Sequence, residues 1–384
     1  MHIWKLLKEE VDPMSESSPP RPPLRLLMLG HVTAHPSGST LLFQKMVQMC
    51  QANPAISLKV INTARPTELT RNWVVNFFAV IRVTFSLLLD IRWAQVVSLH
   101  ASRPAMTLYG PFLYLICRVF NKPLVLRLFG GAFEKHFEAF PAVVKWVLKN
   151  TIFASELFVV ETKLLLDYFT PYASGLIKQL PNFTKLADLP LGMTTRRNNG
   201  RYVFLGIVKE EKGVDVILNA VHSLLPGISL DIYGPLWDNY TAESINARGK
   251  GAISYKGVIS PEDVYKKLYD YDVLVLPSFY PGEGYPAVII EAYSHCIPVI
   301  STEWRSIPEI VGDDTGMLIP IQSHKALSNA MNVLFSDSAL YSRLICGVMG
   351  KRELFSDEYW AHQFCSWCVE LTARFVSETH QMPD

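Results

Sequence analysis

The chain has 384 residues, of which 49% are hydrophobic and 18% charged, enough apolar sequence for two cores and too much for a disordered polypeptide. Its net charge is only +1, which does not suit a nucleic-acid binder, but the balance is uneven: residues 1–190 carry 20 Lys+Arg against 12 Asp+Glu, and the remainder 16 against 23. A basic first half suits an anionic partner, either a phosphate-bearing ligand or a membrane surface, with chance scatter over a large surface as the alternative.

Residues 1–23, which include SESSPPRPP, read as a disordered tail. Charges in MHIWKLLKEEVDPM come too early for a secretory signal. From Leu24 on, strand-like and helix-like segments alternate. LRLLMLG (24–30) is a buried-strand pattern, followed by the loop HVTAHPSGS and a helix over about residues 40–51. Ser37, Gly38 and Ser39 in that loop offer backbone and hydroxyl donors to a phosphate at a helix start. No G-x-G-x-x-G fingerprint accompanies them. SLKVIN (57–62), AQVVSLH (94–100), PLVLRLF (123–129) and ELFVVE (156–161) are further strands, giving the βαβ rhythm of a parallel sheet. Residues 73–91, 108–120 and 140–150 read as apolar helices with basic spots. Asn76, Arg82 and Asp90 interrupt the first, which falls short of a membrane span of about 20 residues. Exposed, such helices would lie in a membrane interface; packed on a sheet, they are ordinary core helices. His100 ends its strand, and Arg127 lies just before Gly130-Gly131, so both approach the sheet edge where α/β folds bind ligands. For a strand-end histidine a purely structural hydrogen bond is the alternative.

PLGMTTRRNNGR (190–201) has no hydrophobic period and reads as a linker. The strand rhythm then restarts with YVFLG (202–206), SLDIYG (229–234), AISYKG (252–257), DVLVLP (272–277) and PVIST (298–302). Two doubly wound units in tandem make a cleft between them. Gly206 ends the first of these strands. Lys212-Gly213, with Lys209 close by, precedes a helix, where the ammonium groups either neutralise a diphosphate or form a solvated charged turn.

PGEGYPAVIIE (281–291) is the most informative stretch. Pro286 suits the first turn of a helix, and Pro298 stops that helix. Glu283 then sits in the loop, and Glu291 about one and a half turns into the helix. Both can accept hydrogen bonds from sugar hydroxyls; solvated acids are the alternative. A glycosidase pair, held about 5–9 Å apart, fits poorly because both acids come from one loop–helix unit. Ser306-Ile-Pro-Glu309 is a capping-box pattern that puts Arg305 at the site's border. Cys365-Ser-Trp-Cys368 lacks the further ligands zinc needs. Six cysteines at irregular spacing argue against a disulfide framework and for a reducing compartment.

Taken in order, FLGIVKEEKGVD, LDIYG and LPSFYPGEGYPAVIIEAYSHCIPVISTEWRSIPEIVGDDTGMLIP resemble the retaining GT-B glycosyltransferases of glycosyltransferase family 4. A looser likeness extends over about residues 24–370. The resemblance implies an α/β GT-B fold, two doubly wound Rossmann-like domains facing across a cleft. The acceptor domain would cover 24–189, the linker 190–201, the nucleotide-sugar donor domain 202–360, and a C-terminal helix (361–384) would cross back to the first domain. It implies a nucleotide-diphosphate sugar as co-substrate, no cofactor, no metal and no nucleic acid. The acceptor would be a glycan or polyprenyl-linked glycan, and the protein cytoplasmic and peripheral at an anionic membrane face.

By the same resemblance Glu283 contacts the transferred sugar and Lys212 stabilises the leaving diphosphate, with His100 and Arg127 as further catalytic candidates. Backbone N–H groups near Gly284 and Tyr285, beside Pro286, face the phosphates, and Glu291 bonds the ribose. Lys209, Gly206, Ser37, Gly38, Ser39 and Arg305 complete the donor site. The sequence departs from the family pattern at Ile207, where an arginine is common; at Arg127-Leu-Phe129-Gly130, where H-x-H-G is common; and at Arg305-Ser306, where Gly-Gly is common. Ile207 and Phe129 motivate a rival reading, a non-catalytic nucleotide-sugar-binding subunit. A GT-B isomerase is the second rival, and a nicotinamide dehydrogenase lacks its fingerprint.

Overall fold

The computed structural model describes residues 22–33, 38–64, 73–189 and 196–379. Ser37, residues 1–21 of the expected tail and residues 190–195 of the expected linker lie outside them. Two six-stranded parallel sheets organise the chain. The first holds β1 (Leu24–Gly30), β2 (Ile56–Asn62), β3 (Val96–Ser102), β4 (Leu124–Phe129), β5 (Leu157–Val160) and β6 (Leu176–Gln179), in the order β2-β1-β3-β4-β5-β6. The second holds β7 (Arg201–Leu205), β8 (Ser229–Tyr233), β9 (Ile253–Tyr255), β10 (Val273–Leu276), β11 (Val299–Thr302) and β12 (Gly316–Ile319), in the order β12-β11-β10-β7-β8-β9. Strand order therefore reverses between β1 and β3 in one sheet and between β7 and β10 in the other. Such switch points open a crevice at the carboxyl ends of the strands.

Strands covered on both faces must be apolar almost throughout, and β4 and β10 are buried at every position. On one face of the first sheet the helices Trp73–Asp90, Arg103–Val119 and Ala142–Lys149 bury Val83, Leu87, Met106, Leu113 and Leu148. On the other face the Ser39–Ala52 helix and the C-terminal Asp357–Thr379 helix bring Phe43, Met46, Phe364 and Cys368 against Leu26 and Met28. The C-terminal helix thus packs on the first domain's core, and it begins at Asp357, four residues before the expected boundary. The crossing is pinned where Thr184 N–H donates to the Phe355 carbonyl (3.0 Å) and Asp357 N–H to the Thr184 carbonyl (3.1 Å).

Two strands escape the sequence reading. β6 (LIKQ) is half-buried throughout and β12 (GMLI) is half-buried at its middle, and each is a four-residue edge strand with no clear alternation. β7 starts at Arg201, inside the stretch read as linker. Asp272 organises that entry: its Oδ2 accepts Asn199 N–H (2.9 Å) and Arg201 N–H (3.0 Å), while Arg196 pairs with its Oδ1 at 3.2 Å.

Candidate functional site

The switch point of the second sheet gathers charge. After β10, Ser278 Oγ donates to Glu283 Oε2 (2.5 Å), and Lys212 Nζ donates to Glu283 Oε1 (2.9 Å) and Oε2 (2.7 Å). Lys212 closes a short 3-10 turn, Glu210–Lys212. Gly213 follows with φ +80°, and a Cβ there would lie 2.1 Å from the Pro277 carbonyl oxygen. Only glycine lets this turn lie against the end of β10, so the Lys-Gly dipeptide is what brings the ammonium to Glu283. Glu283 is 6% exposed, and a buried carboxylate of this kind is tolerated because both oxygens have partners. Lys209, from the same turn, pairs with Glu211 (2.6 Å) and lies 3.8 Å from the Tyr280 ring centroid. Gly206 ends this strand region, its N–H on the Tyr233 carbonyl (3.1 Å), with Ile207 half-exposed beside it.

Pro286 stands at the N-cap of the Ala287–Ser294 helix rather than within its first turn. Glu291, on that helix, lines a 450 Å³ cavity whose other walls include Lys45 and Thr184 from the first domain and Tyr265 and His295 from the second. Lys45 Nζ is tethered to Thr184 Oγ1 (3.3 Å). Burial raises the Glu291 carboxyl pKa, and the Lys45 charge opposes it. His295 sits against the Tyr265 and Tyr269 rings (4.8 and 4.7 Å), and burial lowers its pKa. The cavity combines a carboxylate, a cation and aromatic faces in a cleft between domains.

Residues 199–337 match the family model of glycosyl transferases group 1. The match falls on the second domain. A stretch of 123 residues is 32% identical to the O-antigen chain mannosyltransferase B of Escherichia coli, covering 30% of this chain and 31% of that protein. The chain thus spans about a third of the length of the curated relatives it matches. Across nearly the whole chain the likeness is one of fold. The structure of Anabaena HepE in complex with UDP has a TM-score of 0.68 at 13% identity, covering 90% of this chain and 100% of that one. Sucrose-phosphate synthase from Thermosynechococcus elongatus has a TM-score of 0.71 at 17% identity, covering 91% and 100%. The fold is GT-B.

The second domain is clamped to the first through its Glu283–Pro286 loop and the segment after β11. A Cβ on Gly131 would lie 2.2 Å from Gly284 Cα, so the two glycine backbones touch. Glu161, just after β5, accepts Tyr285 N–H (2.7 Å) and Asn182 Nδ2 (3.1 Å) on Oε1, and Gly130 N–H (3.1 Å) on Oε2. Asn182 Nδ2 also donates to the Tyr285 carbonyl (2.6 Å). From the other side, Glu309 accepts Lys163 N–H (2.8 Å), Leu164 N–H (3.0 Å) and Tyr285 O–H (2.7 Å). Glu309 therefore caps the Lys163–Phe169 helix of the first domain. The capping box expected within its own segment does not form, and Ser306 Oγ has no partner among the described residues.

This clamp redirects several expected donor contacts. Tyr285 N–H is engaged by Glu161, and Gly284 packs on Gly131, so neither points freely at a phosphate. Arg305, at φ +53° where glycine is more usual, donates to the Gly131 carbonyl and to Glu134 Oε1 (2.5 Å). It binds the domains together instead of bordering the cavity. Arg127 is 1% exposed and lies under the Phe129 and Phe183 rings (4.8 and 5.3 Å), lining neither cavity. Burial pushes its pKa down to about 9, with Glu161 the main opposing charge. The apolar shell of β4 holds it away from a ligand.

His100 is also buried. Its Nε2 lies 3.0 Å from Ser98 Oγ, and burial with the nearby Arg127 charge holds its pKa well below the usual histidine range. It lines a different cavity, of 560 Å³, together with Ser39, at the switch point between β1 and β3. Gly38 is the N-cap of the helix beginning at Ser39. Of the sequence candidates, Glu291 lines one cavity and His100 and Ser39 the other, while Lys212, Glu283, Arg127 and Arg305 line neither. Glu161, Asn182, Lys45, Tyr265 and His295 are site residues that sequence reasoning misses. Glu161 had a signal, a carboxylate at the carboxyl end of an apolar strand; Asn182 and Lys45 had none.

Proposed function

We propose that the protein is a retaining glycosyltransferase that moves a sugar from a nucleotide-diphosphate donor to a hydroxyl of a glycan or lipid-linked acceptor. The observation that carries this reading is the Lys212–Glu283–Ser278 cluster at the β7/β10 switch point, one loop away from Glu291 in the interdomain cavity. The HepE neighbour bound to UDP and the mannosyltransferase relative support the donor class. In the reaction the bond from the anomeric carbon to phosphate breaks, its electron pair leaving with the diphosphate. The acceptor oxygen bonds the same face of that carbon, and its proton passes to the departing phosphate oxygen. Lys212 and Lys209 supply the positive charge that stabilises the leaving group. Glu283 orients the sugar and Glu291 the ribose hydroxyls. Donor entry requires the Gly131–Gly284 contact to open, a domain motion of the kind that gates many enzymes.

The same reading puts the acceptor at an anionic membrane surface. The three outer helices of the first domain carry Arg82, Arg103, Arg118, Lys145 and Lys149 against one acid, Asp90, which is paired with Lys59 (2.5 Å). They also expose Phe85, Leu89, Leu108 and Trp146 at 62%, 67%, 81% and 66%. No described helix is long and apolar enough to cross a membrane. Exposed apolar side chains on helices with an excess of cations suit the interfacial layer of a bilayer.

A thermal-shift panel of UDP, GDP, ADP and CMP on wild type and Glu291→Ala tests the donor site. A ligand at 100 times its Kd adds about 2.7 kcal/mol of stability. One nucleotide should shift the wild type and lose its effect in the variant. Product anomer, read by NMR, tests retention; an inverted product refutes it. A non-catalytic binding subunit is the second reading, favoured by Ile207 and by the engagement of Arg305 in the clamp. It predicts donor binding with no release of nucleoside diphosphate.

A further inference from the structure

We propose that the 560 Å³ cavity of the first domain binds a single hydrocarbon chain of an amphiphile, with the amphiphile's polar head at the carboxyl edge of the sheet. The inference rests on the lipid-linked acceptor of the function above and names where its chain goes. The volume lies within the range of small-molecule sites, about 300–1,000 Å³. The walls divide by chemistry. Val80 and Val83 come from the Trp73–Asp90 helix, Ala105 and Leu108 from the first two turns of the Arg103–Val119 helix. At the strand ends the lining turns polar, with His31 after β1, Thr63 after β2 and Ser102 closing β3.

Among the described residues no Asp, Glu, Asn, Gln, Lys or Arg lines this cavity. A site for a bare glycan would need such groups to replace the water on its hydroxyls, since unpaired polar groups are costly to bury. The cavity also reaches the exterior at a definite place. Val80 and Leu108 line it and are 45% and 81% exposed, so it reaches the exterior between these two helices. At the inner end the buried His100 ring packs against Phe43 and Phe129, which also line the cavity, so the polar groups offered to a head group are those of the strand ends. An apolar slot that opens between two outer helices and ends in a rim of imidazole and hydroxyl groups matches an amphiphile in shape and polarity.

Photolabelling of the full chain tests this, using a diazirine-bearing geranylgeranyl phosphate in one arm and a diazirine-bearing palmitic acid in the other. Labels should map to residues 79–83 and 104–109, and the stronger arm identifies an isoprenyl or an acyl source. Ala105→Trp fills the slot from an exposed helix position and should cut labelling at least about tenfold, as should Leu108→Trp. Phe85→Asp with Leu89→Asp, outside the slot, should leave labelling in solution unchanged. Undiminished labelling in both tryptophan variants, or labels spread over the outer face and lost with the aspartates, overturns the proposal. Melting midpoints and nucleotide shifts of each variant report folding. Labelling without any sugar transfer would refute the transferase reading and leave the slot standing; transfer to a water-soluble acceptor without labelling would do the reverse.

Discussion

The two domains solve one packing problem and differ in what they leave outside it. Each wraps helices around a six-stranded parallel sheet, and each has a crevice where strand order reverses. In the second domain that crevice holds Lys209, Lys212 and Glu283, and large exposed apolar side chains such as Trp237 and Val258 are scattered singly. In the first domain no Asp, Glu, Lys or Arg among the described residues lines the crevice, and exposed apolar side chains cluster on three helices of one layer. The inner stripe of each helix is dictated by the sheet it covers. The outer face and the switch-point loops are not, and there the two halves have diverged, one toward charge chemistry and one toward apolar contact.

Separate damage to each half is the strongest test of that division. Lys212→Ala should lower donor turnover about 10²–10³-fold, the usual effect of losing one preorganised electrostatic donor. Co-sedimentation with vesicles of phosphatidylglycerol and phosphatidylcholine should stay as in wild type. If vesicle binding falls with turnover, the domains do not act separately. The complementary change, Phe85→Asp with Leu89→Asp, should reduce vesicle binding more than about tenfold, because each carboxylate replaces apolar area that would enter the bilayer and repels anionic lipid. Nucleotide thermal shifts should be unaffected. Trp237→Asp, an equally exposed position in the second domain, should leave vesicle binding alone; a loss there would mean that exposure anywhere suffices.

Sequence periodicity revealed ten of the twelve strands, because strands buried on both faces are apolar runs that stand out from their loops. β6 and β12 stayed hidden for the converse reason, being short edges with mixed burial. The Lys212–Glu283 cluster was approachable because both residues lie in glycine-bearing loops at strand ends. Contacts across the domain interface were not. Glu309 looked like the end of a local capping box, and nothing local shows that it caps a helix some 145 residues away in sequence. Arg305 likewise read as a ligand-facing cation, since its partner Glu134 sits in the other domain.

Those interface residues carry the smaller predictions. Glu309→Ala removes the acceptor of two helix N–H groups and of Tyr285 O–H, and should cost about 1–3 kcal/mol. That is a fall of several degrees in the calorimetric midpoint at about 2–4 °C per kcal/mol for domains of this size. An unchanged midpoint would mean that water replaces the cap without loss.

The smallest effect concerns pH. Burial raises the Glu161 pKa above its ordinary value of about 4.3, although the Tyr285 and Gly130 N–H groups and Arg127 oppose the shift. Between the unfolded value and the raised folded value the native protein binds more protons than the unfolded chain, so stability falls as pH rises through that window. Glu291 is raised too and contributes with the same sign, so the total slope does not isolate the clamp. The difference between wild type and Glu161→Gln does. The amide keeps an oxygen for Tyr285 N–H but cannot titrate, so urea midpoints of the variant should decline less from weakly acidic to neutral pH. Parallel profiles would show that Glu161 keeps one protonation state throughout. A shallower profile would place a proton at a carboxylate of the domain junction, where a change in its charge alters that junction and leaves each core intact.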